Sequence, residues 1–113
     1  MTMNEREMGE VIILELSGKI MGGPDASVLN DKLHALIDQK KTKIVADLAN
    51  VDWMNSSGLG ILIGGLTTMR HNGGDLKLAN VSERIQSLLM ITKLMTVFDA
   101  HASLEKAIAA FEK

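Results

Sequence analysis

The residues best suited to chemistry stand together at one joint. The stretch Asp47-Leu48-Ala49-Asn50-Val51-Asp52-Trp53-Met54-Asn55-Ser56-Ser57-Gly58-Leu59-Gly60 leaves the apolar run Ile44-Val45-Ala46 and passes through polar residues. It then enters a second apolar segment that runs from Leu59 to Leu66. This pattern reads as a strand, a short loop and the start of a helix, with Ser56, Ser57 and Gly58 at the junction. A hydroxyl placed where a helix begins has two uses. It can accept a hydrogen bond from a free backbone amide and cap the helix, or it can carry a phosphoryl group, whose charge a helix start favours. On the residues alone both readings stand. The rest of the chain reads as scaffold for this joint.

The elements that must position it follow from periodicity and punctuation. Val11-Ile12-Ile13-Leu14-Glu15-Leu16 is rich in branched apolar residues and ends at Ser17-Gly18, so a strand is expected there. Thr2 to Glu7 is a candidate edge strand beside it, with Gly9-Glu10 as the turn. Gly22-Gly23-Pro24-Asp25 is loop punctuation, with Asp25 as cap of the following helix. Ala26, Leu29, Leu33, Leu36 and Ile37 then recur at helical spacing up to about Lys40. Thr42 to Leu48 is apolar at consecutive positions, as in a strand covered on both faces. Leu59, Leu62, Ile63, Leu66 and Met69 form one face of a helix from about Ser57 to His71. Asn72-Gly73-Gly74 ends it, with glycine where a left-handed cap is needed. Asp75 to Ala79 alternates like a half-buried strand. A third helix is marked by Val81, Ile85, Leu88 and Leu89 with Ser82 as cap, and a very short strand is expected at Val97-Phe98. Leu104, Ala107, Ile108 and Phe111 mark a final helix entered through His101 to Ser103. Such alternation of strands and helices means a sheet with helices packed on it.

Composition narrows the function classes. A chain of 113 residues suits one domain. Its net charge of -2 supplies no long-range attraction for nucleic acid or anionic lipid, and neither is expected as a direct partner. With no cysteine, disulfides, thiolate nucleophiles and thiolate-bound metals are excluded. The polar N-terminus lacks the composition of a secretory signal, and no apolar run approaches the ~20 residues needed to cross a bilayer. A cytoplasmic protein is the expectation.

Other constellations are weak. Gly58, Gly60, Gly64 and Gly65 invite a dinucleotide reading, but Ile63 occupies the third-glycine position of G-x-G-x-x-G, and no Lys-Ser or Lys-Thr follows to make a P-loop. His34, His71 and His101 lie apart without metal-ligand spacing and read as solvated surface residues. Asp47 and Asp52 read as loop carboxylates or caps rather than an acid/base pair. Met21, Met69, Met90 and Met95 read as core filler. Met54 is the methionine assigned to a binding surface, because it adjoins the loop. Gly58 and Gly60 each lower helix propensity by about 1 kcal/mol. Either a partner's backbone approaches them or the helix packs tightly on the sheet.

Taken in order, these blocks resemble the STAS domain of bacterial anti-sigma factor antagonists. Gly18 follows a strand, and Asp25 opens a helix after a glycine-rich loop. The segment Asp47 to Gly60 resembles the family signature: an apolar strand, an aromatic, a methionine, an acidic residue, then Ser-Ser-Gly-Leu-Gly. Arg70, Gly73, Gly74, Leu76 and Leu78 resemble the next block, and Phe98 the aromatic before the last helix. Three positions depart from the pattern. Asn55 stands where aspartate is usual, Trp53 where phenylalanine is commoner, and Lys93 where glycine is frequent, so that helix end is expected to be shaped differently.

The resemblance implies a single α/β domain over residues 1–113, a mixed β-sheet with helices packed on it. It implies a non-enzymatic binding protein that needs no cofactor and no metal. In its unmodified form such a protein binds an anti-sigma factor that is also a serine/threonine kinase, and so frees a sigma factor. The kinase phosphorylates the first signature serine, here Ser56, which ends the complex, and a phosphatase resets it. The implied partner surface comprises Gly22, Gly23, Asp25, Trp53, Met54, Asn55, Ser57, Gly58, Leu59 and Gly60. The alternative within the same family is a subunit that docks on a transporter ATPase or signalling assembly without serine phosphorylation.

Overall fold

The computed structural model describes residues 1–112, so Lys113, the last residue of the expected domain, lies outside the described part. Its elements are β1 (Thr2–Met8), β2 (Val11–Ile20), α1 (Pro24–Asp38), β3 (Lys43–Met54), α2 (Ser56–His71), β4 (Asp75–Ala79), α3 (Glu83–Ile91), β5 (Ala100–His101) and α4 (Leu104–Phe111). The strands form one sheet in the order β1-β2-β3-β4-β5. β1 is antiparallel to β2, and every later pairing is parallel.

Sequential strand order decides where the helices go. A right-handed crossover between neighbouring parallel strands places its helix on one particular side, so α1, α2 and α3 share a face. The buried residues agree. Ile12, Leu14 and Leu16 of β2, Ile44, Ala46 and Leu48 of β3, and Leu76 and Leu78 of β4 meet Leu29, Leu33 and Leu36 of α1, Leu59, Leu62, Leu66 and Met69 of α2, and Ile85 and Leu89 of α3. The alternate residues Val11, Ile13, Val45 and Ala79 point the other way and meet Ala107 of α4. Consecutive apolar positions in β2 and β3 thus serve two cores, one per face.

Two strands run further than hydrophobicity predicts. β2 continues past Leu16 to Ile20, and β3 past Leu48 to Met54. The less buried residues Ser17 to Lys19 and Ala49 to Asp52 stay in strand because the backbone ladder joins them whatever their side chains. Register shifts between Glu15 and Ser17 and between Gly18 and Lys19 absorb the extra residues of β3. The expected loop from Ala49 to Asn55 is therefore mostly strand.

The last strand is also displaced from expectation. Val97-Phe98 is not a strand; Phe98 is a buried core residue, and β5 is Ala100–His101, paired with Leu78 and Ala79. The apolarity of Val97-Phe98 reflects packing on the core rather than a ladder.

Three helices end alike. The amides of Lys41, Gly74 and Leu94 donate to the carbonyls of Leu36, Met69 and Leu89, and those of Lys40, Gly73 and Lys93 donate to Ile37, Arg70 and Met90. These are Schellman closures. Gly73 sits at φ 81°, as expected, but Lys40 and Lys93 adopt φ 62° without being glycine. Lys93 therefore does not reshape its helix end; the lysine takes the glycine conformation at a steric cost.

Candidate functional site

The long β2–β3 ladder carries the chemistry to one end of the sheet. Lys19 pairs with Trp53 and Ile20 with Met54, so the chain leaves both strands side by side. One exit becomes Met21-Gly22-Gly23 and α1, the other Asn55 and α2. Crevices at the carboxyl ends of parallel strands are where ligands commonly bind in such sheets.

At the α2 start the cap is Asn55. Its Oδ1 accepts from the Gly58 amide at 2.8 Å, and its carbonyl accepts from the Leu59 amide at 2.9 Å. Neither Ser56 nor Ser57 serves as the cap, so of the two uses open to a hydroxyl there, capping is not taken up. Asparagine wins because it precedes the first helical residue in extended conformation (φ -108°), the geometry from which a short side chain reaches back over the first turn. Ser56, as first residue of the helix, is exposed with a hydroxyl free of structural duty. α2 has no acidic residue in its first turn, so its positive end is not compensated from within.

The two glycines of the signature have different reasons. A Cβ on Gly58 would lie 1.8 Å from the Ile20 carbonyl oxygen, so this glycine is demanded by packing of α2 on β2. A Cβ on Gly60 or Gly64 would meet nothing within 4 Å. Both border an open groove of about 660 Å³ between α1 and α2, with Gly22, Gly23, Ser27, Asn30, Ser57 and Thr68 also on its walls. Gly22 abuts Ser57, where its Cβ would come 3.2 Å from that of the serine. The structure thus brings Gly22, Gly23, Ser57 and Gly60 to one groove.

It does not bring all the expected residues there. Met54 and Leu59 are buried core side chains, as is the backbone at Gly58, so none of the three offers a side-chain contact to a partner. Their strand and helix alternation turns them inward. Asp25 caps nothing: α1 starts from Gly23 at φ 66° with Pro24 in its first turn, and the Asp25 carboxylate lies 3.6 Å from the Met1 ammonium. Trp53 faces outward, 41% exposed, and its ring is covered at 4.8 Å by the Arg84 guanidinium from α3. Arg84 was invisible in the sequence because thirty-one positions separate it from Trp53.

Met69 fills the core as expected, but the other methionine roles invert. Met54 and Met69 fill the core, whereas Met21, Met90 and Met95 are exposed. Asp47 is not a solvated carboxylate; it is 8% exposed, accepting from the Ala49 amide at 3.0 Å and from Asn80 Nδ2 at 2.8 Å. Asp52, His34 and His71 are exposed, as expected. His101 instead holds Nε2 3.0 Å from Asp99 Oδ1, beside Lys77, whose ammonium lies 2.7 Å from Asp99 Oδ2 and 4.7 Å from the Phe111 ring centre. Burial pushes the Asp99 carboxyl up, but the Lys77 hydrogen bond and charge, with the His101 imidazole beside them, outweigh it and hold it below its ordinary range. Among the described residues no cluster of three or more metal-ligating side chains forms, and no helix is long and apolar enough to cross a membrane.

Comparison with known proteins agrees with this architecture. Residues 2–107 match the model of the STAS domain. The chain belongs to the STAS domain family. It is 37% identical over 83 residues to the anti-sigma-B factor antagonist of Bacillus subtilis, an overlap of 74% of this chain and 75% of that one. An anti-sigma factor antagonist from Mycobacterium paratuberculosis shares the fold with a TM-score of 0.83 at 21% identity, covering 99% of this chain and 94% of the other. The Bacillus cell fate determinant SpoIIAA in its phosphorylated form superposes with a TM-score of 0.73 at 20% identity, over 97% and 99% of the two chains.

Proposed function

We propose that this protein is an anti-sigma factor antagonist that works by partner switching. It is a regulatory binding protein rather than an enzyme. Its unmodified form docks on an anti-sigma factor with serine-kinase activity, which frees a sigma factor, and phosphorylation of Ser56 ends the complex. The observation that carries this reading is the exposed Ser56 hydroxyl at the first position of α2, released from capping by Asn55 and set beside the groove. The named role of the Bacillus subtilis relative supports it.

The geometry explains how one group serves both states. A phosphate on Ser56 meets the free amides and positive end of α2, so the domain itself accommodates the modification. The same phosphate adds about −1.5 to −2 charges at neutral pH. Within a protein interface an uncompensated buried charge costs roughly 3–5 kcal/mol. At about 1.4 kcal/mol per tenfold, binding weakens by two to nearly four orders of magnitude. Asn55 in place of aspartate keeps the cap and removes one negative charge next to that phosphate.

The test uses purified anti-sigma kinase from the same cell, with calorimetry for binding and intact mass for modification. Wild type should bind, gain one phosphoryl group with ATP and dissociate. Ser56→Ala should bind and stay bound in ATP, and Ser56→Glu should bind at least a hundredfold more weakly. Equal binding by Ser56→Glu, or ATP-driven release of Ser56→Ala, would refute the mechanism.

A further inference from the structure

Among the described residues, three of the seven exposed large apolar side chains lie close together in the chain. Met90 is 63%, Ile91 79% and Met95 41% exposed, at the end of α3 and in the turn after it. The core uses Ile85 and Leu89 of this helix, Leu88 packs partly against it, and Met90 and Ile91 stand exposed. Arg84 and Ile91 stand at i and i+7 on one side of α3, with the partly buried Leu88 between them and Met90 about 100° round the helix. The head of this stripe is the Arg84 guanidinium stacked on Trp53, and Trp53 lies two residues before the cap Asn55. The stripe therefore starts at Trp53, three residues before Ser56 in the chain, and runs seven residues along α3, about 10 Å at 1.5 Å per residue. From Arg84 to Phe98 the charged residues are Arg84 and Lys93, both basic, with Glu83 and Asp99 immediately outside that run.

We propose that the protein partner docking at Ser56 extends across Trp53 and Arg84 and along α3, and seats there an apolar segment carrying acidic side chains. This rests on the Ser56 reading of the site. Tryptophan and arginine are the residue types that most often dominate interface energies. Stacking holds the Arg84 fork in place, and its N–H donors suit a carboxylate. Methionines at 90 and 95 adapt to an irregular apolar surface. A second copy seated stripe on stripe would bring two sets of Arg84 and Lys93 into one interface, where like charges oppose.

The probe is the purified anti-sigma kinase, selected beforehand because Ser56→Glu abolishes its binding. Calorimetry compares wild type with Met90→Ser/Ile91→Ser, Arg84→Glu and Arg84→Lys, and a melting curve verifies that each remains folded. The double variant should bind at least tenfold more weakly with an unchanged melting temperature, and Arg84→Glu should lose more affinity than Arg84→Lys. A double variant or an Arg84→Glu variant that binds within twofold of wild type overturns the proposal and leaves the Ser56 reading standing. If no kinase shows dependence on Ser56, the reading falls and takes the proposal with it. Ultracentrifugation of wild type alone and sedimentation with phosphatidylserine vesicles complete the test. Self-association or vesicle binding that the double variant removes, with kinase affinity unchanged, assigns the stripe to a second copy or to lipid and overturns the proposal equally.

Discussion

At the scale of single residues, identical letters carry different duties, and substitution separates them. Gly58 faces the Ile20 carbonyl, so Gly58→Ala forces α2 off β2; overpacking of this kind costs about 1–3 kcal/mol, or more where backbone cannot yield. Gly60→Ala and Gly64→Ala point into open space and should each stabilise the fold by roughly 0.5–1 kcal/mol through helix propensity. Denaturant unfolding of the three variants gives both signs. If the groove admits a partner's backbone, the two stabilising variants also bind more weakly, which calorimetry reads. Asn55→Ala removes the side-chain N-cap of α2 and should cost about 1 kcal/mol, whereas Asn55→Asp keeps the acceptor and the stability. The sequence named every one of these residues. It left the reasons open, because a Cβ contact with a carbonyl thirty-eight positions away has no local signature.

Among the elements, the extreme strands and the β4–α3 connection are tied by polar groups rather than by area. Asp47 of β3 holds Asn80, which stands at φ 56° just past β4. Asp47→Ala leaves that amide and the Ala49 N–H short of a partner, and chemical denaturation should show a loss of roughly 1.5–3 kcal/mol. β5 has only two residues and depends on the Lys77–Asp99–His101 contacts. Because the folded state holds the Asp99 carboxyl below its usual range, its contribution is complete above the unfolded value of about 3.9 and is lost as pH falls through the lower folded value. Asp99→Asn should therefore be less stable than wild type at pH 7. That deficit should be level above about pH 5 and shrink as pH drops below about 4, as melting curves across pH would reveal. Lys40 and Lys93 at φ 62° mark a reserve: either lysine replaced by glycine relieves a left-handed strain of roughly 1–2 kcal/mol, less the extra entropy of an unfolded glycine.

For the whole molecule, the switch demands that modification change binding without changing the fold. Ser56→Glu adds charge at an exposed, uncompensated helix start, so its unfolding free energy should stay within about 0.5 kcal/mol of wild type while partner binding collapses. A loss of several kcal/mol would mean that the charge acts by unfolding instead. The sequence by itself determined the order of elements, the single α/β domain, the edge strand at Thr2 and the joint at Ser56. Local periodicity and turn chemistry encode these directly. Three-dimensional packing alone decided that β3 runs on to Met54, because a ladder with β2 compensates for polar side chains. It decided that β5 starts at Ala100, since two residues form a strand only when Leu78 and Ala79 offer them partners. It also sorted the signature into Ser56 and Trp53 outward and Met54 and Leu59 inward. That sorting, like the meeting of Trp53 with Arg84, depends on which way each side chain points once sheet and helices are stacked, and distance along the chain does not carry that information.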